Sequence, residues 1–355
     1  MENRAKVLVI ATGGTIASAI SEKGALSPQL GVEELKNMLL DSKNRSSIDI
    51  TLLQLMNKDS TNINPDDWDK IINALKSNLD KYDGFIVLHG TDTMAYSASA
   101  VSFALKTEKP IVFTGSMLPA NKEGSDAKGN FNLALREAAG NGLGAGGVLI
   151  AFDGEVIPGN NATKIDTLDF KAFGLKSSKV DLGLVSIVHE TFRTESALLR
   201  DSYPLLEKNF DEKVISIHLT PGIRPEMLMN ISKNADGIVL EAFGSGGLPD
   251  NLLGAVSEIS KEKPVVMVTQ VSKGEVNLDE YDVGKNAKAA GVIDGQNMTI
   301  EAASTKLMWA LARTRDLSEI RRIMYTNISG ELDQSSAVRA RAKETQPLQK
   351  LHSLA

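Results

Sequence analysis

The segment Val7-Leu8-Val9-Ile10-Ala11-Thr12-Gly13-Gly14-Thr15 joins a short apolar run to a turn of two glycines and a threonine. Its β-branched residues follow one another without the alternation of polar and apolar side chains that a half-exposed strand shows. This pattern predicts a strand of a parallel sheet that helices cover on both faces. The glycines let the backbone turn sharply where the strand ends, and Thr15 then presents a free hydroxyl.

A second segment, Phe85-Ile86-Val87-Leu88-His89-Gly90-Thr91-Asp92-Thr93-Met94, repeats the arrangement of an apolar strand followed by a threonine-bearing turn. Between them the two turns supply hydroxyls, a carboxylate and backbone N–H groups. Both turns follow strands, and the carboxyl edge of a parallel sheet is where α/β proteins bind ligands and do chemistry. We therefore expect a functional site where these two turns meet.

Strand-like and helix-like stretches alternate along the rest of the chain. They predict an α/β fold of two doubly wound domains, a larger N-terminal domain with a mostly parallel sheet and a smaller C-terminal domain with a parallel sheet. We place the N-terminal domain at residues 1–190, a linker at 191–212, the C-terminal domain at 213–330 and a polar tail at 331–355.

The predicted elements can be given with their bounds. In the N-terminal domain they are strands Val7–Ile10, Ile50–Leu55, Phe85–Leu88, Ile111–Thr114 and Val148–Ala151, and helices Val32–Leu40, Pro65–Leu79, Ala95–Leu105 and Asn130–Ala139. In the C-terminal domain they are strands Val214–Ile217, Gly237–Leu240 and Val265–Thr269, and helices Pro225–Ser232, Asn251–Lys261 and Thr299–Leu311.

The two domains share a faint sequence echo. Asp83-Gly84-Phe85-Ile86-Val87-Leu88 precedes Glu108-Lys109-Pro110 at nearly the same distance as Asp236-Gly237-Ile238-Val239-Leu240 precedes Glu262-Lys263-Pro264. Each pair predicts one strand–helix–strand unit. Duplication and convergence of such units both explain the echo.

Composition excludes several classes of protein. The chain has 355 residues, no cysteine and a formal net charge of −6, with lysine and arginine scattered along it. We therefore expect no disulfide, no thiolate chemistry, and neither nucleic acid nor a membrane surface as a partner. The first strand follows the N-terminus directly, without room for a signal peptide, so we predict a cytoplasmic protein.

The four histidines do not indicate a hydrolase of the serine–histidine type. No Gly-x-Ser-x-Gly segment accompanies them, and no His-x-x-x-His pair or acidic ligand loop predicts a metal site. We expect no metal and no cofactor. For His89, at the end of its strand, we favour a packed ring satisfied by the backbone over a catalytic role.

The remaining candidate is catalysis by a threonine hydroxyl. A threonine hydroxyl is a poor nucleophile unless a neighbouring base removes its proton, and a desolvated lysine can be that base. Thr91, Asp92 and a lysine would form such a relay. The turns alone leave alternatives open, because a Gly-Gly-Thr turn is more often structural or a cradle for phosphate than a nucleophile.

The two turns nevertheless carry a specific resemblance. Thr12-Gly13-Gly14-Thr15-Ile16-Ala17-Ser18 and Leu88-His89-Gly90-Thr91-Asp92-Thr93-Met94 resemble the two signature segments of the bacterial-type L-asparaginase family, in its cytoplasmic type I branch. The likeness covers roughly residues 5 to 330. It continues through Asp59-Ser60-Thr61, Pro65-Asp66-Asp67-Trp68, Phe113-Thr114-Gly115-Ser116-Met117, Ala162-Thr163-Lys164 and Val276-Asn277-Leu278.

The resemblance implies roles for individual residues. Thr15 matches the nucleophile that forms an acyl-enzyme while ammonia leaves. Thr91, Asp92 and Lys164 match a second catalytic cluster, in which Asp92 also binds the α-amino group of the substrate. The substrate-binding residues implied are Ser60 for the α-carboxylate, Thr61 beside it, and backbone N–H groups near Gly90 and Thr91 for the developing oxyanion. The implied reaction is hydrolysis of L-asparagine to L-aspartate and ammonia.

Two departures from the family pattern concern the activation of Thr15 and the substrate contacts from the C-terminal domain. Many relatives have a tyrosine shortly after the nucleophile, whereas Ser21-Glu22-Lys23-Gly24-Ala25-Leu26-Ser27-Pro28 has none. Tyr281 is a candidate replacement, contributed by a neighbouring subunit. After Phe243-Gly244, where some secreted relatives have an asparagine, this chain has Ser245-Gly246-Gly247.

The resemblance implies a homodimer or a homotetramer built as a dimer of dimers.

Three alternatives stay open. One is the glutamine-hydrolysing subunit of the archaeal tRNA-dependent amidotransferase, which shares both signatures but normally has a domain before the first, here at residue 12. Another is a glutaminase-asparaginase, since one methylene gives only ~1–3 kcal/mol of discrimination. The third is a nucleotide- or amino-acid-binding regulatory protein. The sequence disfavours it, because phosphate-binding glycine motifs are absent and Asp92 is acidic.

Overall fold

The computed structural model describes residues 4–20, 26–28, 30–40, 47–140, 142, 146–176 and 203–333. The strands of its N-terminal part are β1 (Ala5–Gly13), β2 (Ser18–Ile20), β3 (Leu26–Pro28), β4 (Ile48–Lys58), β5 (Gly84–Leu88), β6 (Pro110–Thr114), β7 (Gly147–Phe152), β8 (Glu155–Pro158), β9 (Ala162–Lys164) and β10 (Phe173–Leu175). Its helices are α1 (Val32–Leu39), α2 (Pro65–Lys76), α3 (Met94–Ala104) and α4 (Ala127–Ala138).

Six of these strands form the larger sheet, in the order β4-β1-β5-β6-β7-β8. All neighbours are parallel except β8, which runs antiparallel to β7. Alternate residues of β1 belong to different cores, Leu8 and Ile10 to one and Val7 and Val9 to the other. Helices α2 and α3 cover the first face, and α1 and α4 cover the second. The sheet is therefore doubly wound, as the apolar runs predict.

The C-terminal part repeats this architecture with a smaller sheet, in the order β11-β12-β13-β14 and parallel throughout. Its strands are β11 (Val214–His218), β12 (Gly237–Ala242), β13 (Val265–Thr269) and β14 (Ile293–Asp294). Its helices are α5 (Pro225–Ser232), α6 (Leu253–Ser260), α7 (Asp282–Ala289), α8 (Ile300–Leu311) and α9 (Leu317–Tyr325).

Helix α8 joins the two parts. It packs on α3, and its Leu307 and Trp309 share one apolar core with Phe103 of α3 and with Val239 and Val266 of the smaller sheet. The same core continues to the face of the larger sheet that α2 and α3 cover. Burial of this shared apolar surface stabilises the two sheets as one packed structure.

Residues 326–333, the C-terminal strap, follow α9 and return to the N-terminal part. Lys306 Nζ lies 2.6 Å from Glu331 Oε1, with both side chains fully buried. Asn160 and Asn161 each donate a side-chain N–H to the strap, to the carbonyl oxygens of Ser329 at 3.0 Å and Gly330 at 2.8 Å. The strap therefore anchors to the turn between β8 and β9.

The predicted elements are all present, with bounds that shift by a few residues. Helix α2 begins at Pro65 as predicted, because Asn64 Oδ1 accepts from the Asp67 N–H and Asp67 Oδ2 accepts from the Asn64 N–H. It ends at Lys76, three residues before the predicted end. The prediction missed the short strands β2, β3, β8, β9, β10 and β14 and the helices α7 and α9.

The predicted division into domains remains a proposal. Of the linker at 191–212, residues 191–202 lie outside the described residues, as does the tail beyond Asp333. In the part of the chain that the structure describes, no helix is both long enough and apolar enough to cross a membrane.

Candidate functional site

The turn after β1 brings Thr15 to the carboxyl edge of the larger sheet. Gly13 and Gly14 have φ angles of 112° and 83°, in the region that favours glycine. The Gly14 N–H donates to the Lys58 carbonyl oxygen at 2.9 Å, which ties the turn to the end of β4. Half-buried Thr15 then begins a 3₁₀ turn, and the antiparallel pair β2 and β3 follows it.

The turn after β5 touches the turn after β1. A Cβ atom added to Gly14 would lie 2.3 Å from both Cα and N of Gly90, and one added to Gly90 would lie 2.6 Å from Ser60 Oγ. No side chain fits between these backbones. Gly14 and Gly90 directly precede Thr15 and Thr91, so the backbone contact brings the two threonine-bearing turns together, with Ser60 beside them.

Lys164 completes a cluster with the second turn. Its Nζ donates to Thr91 Oγ1 at 2.9 Å and to Asp92 Oδ1 at 2.5 Å. Lys164 ends β9, where it pairs with Phe173 of β10. The Lys164 side chain is 18% exposed and that of Asp92 is 52% exposed, so one edge of the cluster is open to solvent. An amine from a distant part of the chain thus lies within hydrogen-bonding distance of both the hydroxyl and the carboxylate of the second turn.

Ser60 and Thr61 lie in a 3₁₀ turn that follows β4. Ser60 is buried, and its carbonyl oxygen accepts from Thr93 Oγ1 at 2.7 Å. Exposed Thr61 donates its hydroxyl to Asp59 Oδ1 at 2.7 Å, and its N–H donates to the same oxygen at 2.9 Å. Asp59 therefore caps this turn, and the Thr61 hydroxyl keeps only its acceptor capacity for a ligand.

His89 is a packed ring, as the sequence favours. It is fully buried, with Nδ1 2.7 Å from the Gly90 carbonyl oxygen and Nε2 2.9 Å from Ser97 Oγ. Burial lowers its pKa from 6.5 to about 4, although the hydrogen bond to Gly90 and the charge of Asp67 act in the opposite direction. The ring is therefore neutral at pH 7.

The C-terminal part reaches the site through Glu301 of α8, a residue that none of the sequence motifs contains. Thr163, next to Lys164, donates its hydroxyl to Glu301 Oε1 at 2.8 Å. Burial raises the pKa of Glu301, and its Oε2 has no hydrogen-bond partner among the described residues. The signal was weak, since one glutamate in the first turn of a helix is ordinary.

Other candidates share no hydrogen bond with the cluster among the described residues, or lie outside those residues. Tyr281 precedes α7 and is 59% exposed. Ser245, after Phe243-Gly244, accepts from the Asn277 N–H at 2.8 Å. Residues 21–25, where a lid tyrosine would stand, are not described. The described residues include no group of three or more side chains suited to hold a metal ion.

Two family models match the chain. The model "Asparaginase, N-terminal" matches residues 6–197, and the model "Glutaminase/Asparaginase C-terminal domain" matches residues 213–324.

Individual relatives agree with these matches. An L-asparaginase of Thermococcus kodakarensis is 42% identical over 92% of this chain and 99% of its own length. L-asparaginase 1 of Escherichia coli is 34% identical over 92% and 97%. A glutamyl-tRNA(Gln) amidotransferase subunit from Pyrococcus horikoshii is 33% identical over 92% of this chain and 76% of its own length.

A solved structure supports the same relationship. The thermostable L-asparaginase from Thermococcus kodakarensis superposes with a TM-score of 0.79 and 39% identity, covering 92% of this chain and 99% of that chain.

Proposed function

Because the chain belongs to the asparaginase/glutaminase family, whose N-terminal and C-terminal models match it in order, we propose that it is an L-asparaginase. The reaction is hydrolysis of L-asparagine to L-aspartate and ammonia. The observation that carries the proposal is the cluster of Lys164, Thr91 and Asp92 next to the contact between Gly14 and Gly90. The 42% identity to an L-asparaginase over nearly its whole length favours the same substrate class.

In the proposed mechanism Thr15 is the nucleophile. Its hydroxyl oxygen forms a bond to the side-chain amide carbon of asparagine, and its proton passes to the cluster of Thr91, Lys164 and Asp92. The C–N bond then breaks, the amide nitrogen takes a proton and ammonia leaves. Water hydrolyses the resulting threonyl ester, which releases aspartate and restores the Thr15 hydroxyl. The hydrogen bonds of Lys164 to Thr91 and Asp92 support this relay.

Substrate recognition uses groups around the same two turns. Ser60 binds the α-carboxylate, with Thr61 beside it, and the exposed carboxylate of Asp92 binds the α-amino group. The backbone N–H groups at Gly90 and Thr91 stabilise the negative charge on the amide oxygen in the transition state. Ser60 supports this arrangement by its burial against Gly90.

The proposed enzyme is a cytoplasmic homodimer or homotetramer, in which Tyr281 reaches the site of a neighbouring subunit. The exposure of Tyr281 in the single chain supports this assignment. Analytical ultracentrifugation determines the oligomeric state. A Tyr281→Phe variant with full activity, or a fully active monomer, contradicts the shared site.

The first experiment measures ammonia release from asparagine and from glutamine by the purified protein. We expect release from asparagine at neutral to mildly alkaline pH, and no release from either amide contradicts the proposal. Thr15→Ala and Thr91→Ala each abolish turnover, whereas Thr15→Ser keeps the hydroxyl and retains measurable activity. Mass spectrometry of acid-quenched enzyme detects an aspartyl ester, and its position on a residue other than Thr15 overturns the assigned nucleophile.

The amidotransferase subunit is the second candidate, since a relative of that name is 33% identical to this chain. It predicts glutamine hydrolysis that requires a partner subunit and tRNA. Release of ammonia from asparagine by the isolated protein excludes it. A regulatory binding protein, in contrast, is stabilised by its ligand and releases no ammonia.

A further inference from the structure

Three buried side chains form a hydrogen-bonded chain behind the second turn. Trp68 Nε1 of α2 lies 3.0 Å from Ser97 Oγ of α3. Ser97 Oγ lies 2.9 Å from Nε2 of His89, and His89 Nδ1 lies 2.7 Å from the Gly90 carbonyl oxygen. The three side chains are at most 5% exposed. This hydrogen-bonded chain of side chains therefore connects two helices of the core to the backbone of the turn.

The chemistry of its ends fixes the direction of every bond. The Trp68 indole N–H can only donate, and the Gly90 carbonyl oxygen can only accept. Because the Gly90 carbonyl oxygen can only accept, His89 Nδ1 carries the ring hydrogen and donates this hydrogen bond. In the neutral ring Nε2 is then an acceptor, so Ser97 Oγ donates to Nε2 while it accepts from Trp68. All hydrogen bonds are satisfied in one neutral tautomer, and burial, which lowers the His89 pKa to about 4, agrees with it.

The Gly90 carbonyl belongs to the same planar peptide unit as the Thr91 N–H. In a trans peptide the two bonds point in opposite directions, so a fixed carbonyl also fixes the direction of the N–H, away from the His89 ring. Gly14 and Ser60 pack against Gly90 and limit its movement. The peptide unit is thus held by packing and by one hydrogen bond from His89.

We propose that His89, oriented by Ser97 and Trp68, is a positioning residue that aims the Thr91 N–H at the oxygen of the substrate amide. This inference rests on the proposed function. When Thr15 attacks the amide carbon, the π electron pair moves to that oxygen, and the N–H stabilises the resulting negative charge. His89 gains and loses no proton in this step. Its effect falls on the transition state, where the charge exists, and leaves ground-state binding unchanged.

The test is a set of kinetic variants of the full-length protein. His89→Leu removes both ring hydrogen bonds, and we expect kcat for asparagine to fall about 100-fold with KM unchanged within about twofold. His89→Asn places an amide N–H near the position of Nδ1 and recovers about tenfold of this loss. Ser97→Ala leaves the ring without its Nε2 partner and lowers kcat by about tenfold.

Ser102→Ala is the matched control. Ser102 lies on the same helix as Ser97, is also buried, and donates to the Ala98 carbonyl oxygen within that helix. We expect its kcat to stay within about twofold of the wild type. A folded His89→Leu or Ser97→Ala protein with unchanged kcat overturns the proposal, and so does a rise in KM alone. If His89→Leu does not fold, Ser97→Ala decides.

A second measurement is independent of activity. In protein labelled with ¹⁵N-histidine, the resonances that disappear in His89→Asn belong to His89. We expect a protonated Nδ1 and an unprotonated Nε2 from pH 8 down to pH 5, with Asp67 the charged neighbour whose carboxylate favours protonation. The opposite tautomer, or protonation near pH 6.5, overturns the proposal. A wild-type protein that releases no ammonia but shows this tautomer refutes the proposed function and not the hydrogen-bonded chain.

Discussion

The units β5–α3–β6 and β12–α6–β13 begin at equivalent hydrogen bonds in two different sheets. The Asp83 N–H donates to the Lys6 carbonyl oxygen at 2.8 Å, and the Asp236 N–H donates to that of Lys213 at 2.6 Å. In each unit the two strands are parallel neighbours. The faint repetition in sequence therefore corresponds to one backbone arrangement used twice, whether by duplication or by convergence.

The lysine of each Glu-Lys-Pro segment also repeats its role. Lys109 Nζ donates to the carbonyl oxygens of Leu79 and Tyr82, both at 2.6 Å, just beyond the end of α2. Lys263 Nζ donates to the carbonyl oxygen of Ser232 at 2.7 Å, at the end of α5. A cation at the carboxyl end of a helix satisfies carbonyl groups that have no partner within the helix.

The units differ where their first strands end. Beyond β5 the chain reads His89-Gly90-Thr91-Asp92, whereas the corresponding positions of the other unit read Ala242-Phe243-Gly244-Ser245. The repeated parts are packing and backbone hydrogen bonds, and the different parts are the side chains of the turn. Packing thus sets the position of a turn, and the residues of that turn decide whether it can do chemistry.

The largest effect is expected from a substitution that removes the Lys164 amine, which contacts the turn after β5. Lys164→Met takes away the donor to Thr91 and Asp92, and we expect kcat for asparagine to fall by about 10³-fold or more. Lys171→Met is the control, because Lys171 lies in the loop between β9 and β10 and pairs with Glu155 at the surface. It retains wild-type kinetics. Equal losses in both variants contradict a catalytic role for Lys164.

The second prediction uses pH to probe the buried ring behind the N-terminal turn. The His89 pKa is about 4 in the folded protein and 6.5 in its ordinary environment, so the unfolded chain binds a proton first as pH falls. Above pH 6.5 the protonation of His89 does not lower the free energy of unfolding. This free energy decreases by on the order of 3 kcal/mol as pH falls from 6.5 to 4.

The contribution of His89 is the difference between wild type and His89→Asn, measured by urea unfolding at each pH. Carboxylates titrate alike in both proteins and cancel in this difference. Plotted against pH, the free energies of unfolding of the two proteins run parallel above pH 6.5 and converge or cross below it. A constant difference from pH 7 to pH 4 contradicts the lowered pKa.

The third prediction compares the cost in stability of substituting the equivalent glycines of the two units, Gly84 and Gly237. A Cβ atom at Gly84 would lie 1.9 Å from the Ala138 carbonyl oxygen, which belongs to the backbone. At Gly237 the three atoms nearest to an added Cβ would belong to the side chains of Leu311 and Leu307. We expect Gly84→Ala to cost about 3 kcal/mol of unfolding free energy and Gly237→Ala about 1 kcal/mol, because side chains yield more readily than backbone. Equal costs in chemical denaturation contradict this distinction.

The smallest effect concerns the helix-capping lysines. Lys109→Met loses two hydrogen bonds to carbonyl oxygens and Lys263→Met loses one, so we expect losses of about 2 and about 1 kcal/mol. Urea unfolding of the two variants measures the difference. A larger loss for Lys263→Met shows that the two caps are not equivalent.

Sequence patterns predicted the long elements because each carries its own signal. Helix α2 has a cap at Asn64 and a proline at its first position, and the strands that meet at the site are uninterrupted apolar runs. Helix α9 also had a readable signal, since Asp316 accepts from the Glu319 N–H and the apolar side chains of Ile320 and Ile323 are buried, but the prediction overlooked it. Strands of three or four residues, such as β8 and β9, carry too little pattern to be recognised.

The site was predictable in part. The hydroxyls of Thr15 and Thr91 follow strands whose ends meet in a parallel sheet, which the pattern alone indicates. Lys164 stands on a three-residue strand, and only the family resemblance selected it among the lysines. The links of His89 to Ser97 and Trp68 join three elements through tertiary packing, and no local spacing encodes such contacts.

The C-terminal strap has a consequence for how the protein loses activity on heating. It holds the turn that contains Asn160 and Asn161, a few residues before Lys164, through contacts that depend on the buried pair of Lys306 and Glu331. Melting of the smaller sheet would therefore release Lys164, the amine of the proposed catalytic cluster. We expect calorimetry to record a single cooperative transition, with enzymatic inactivation at the same temperature.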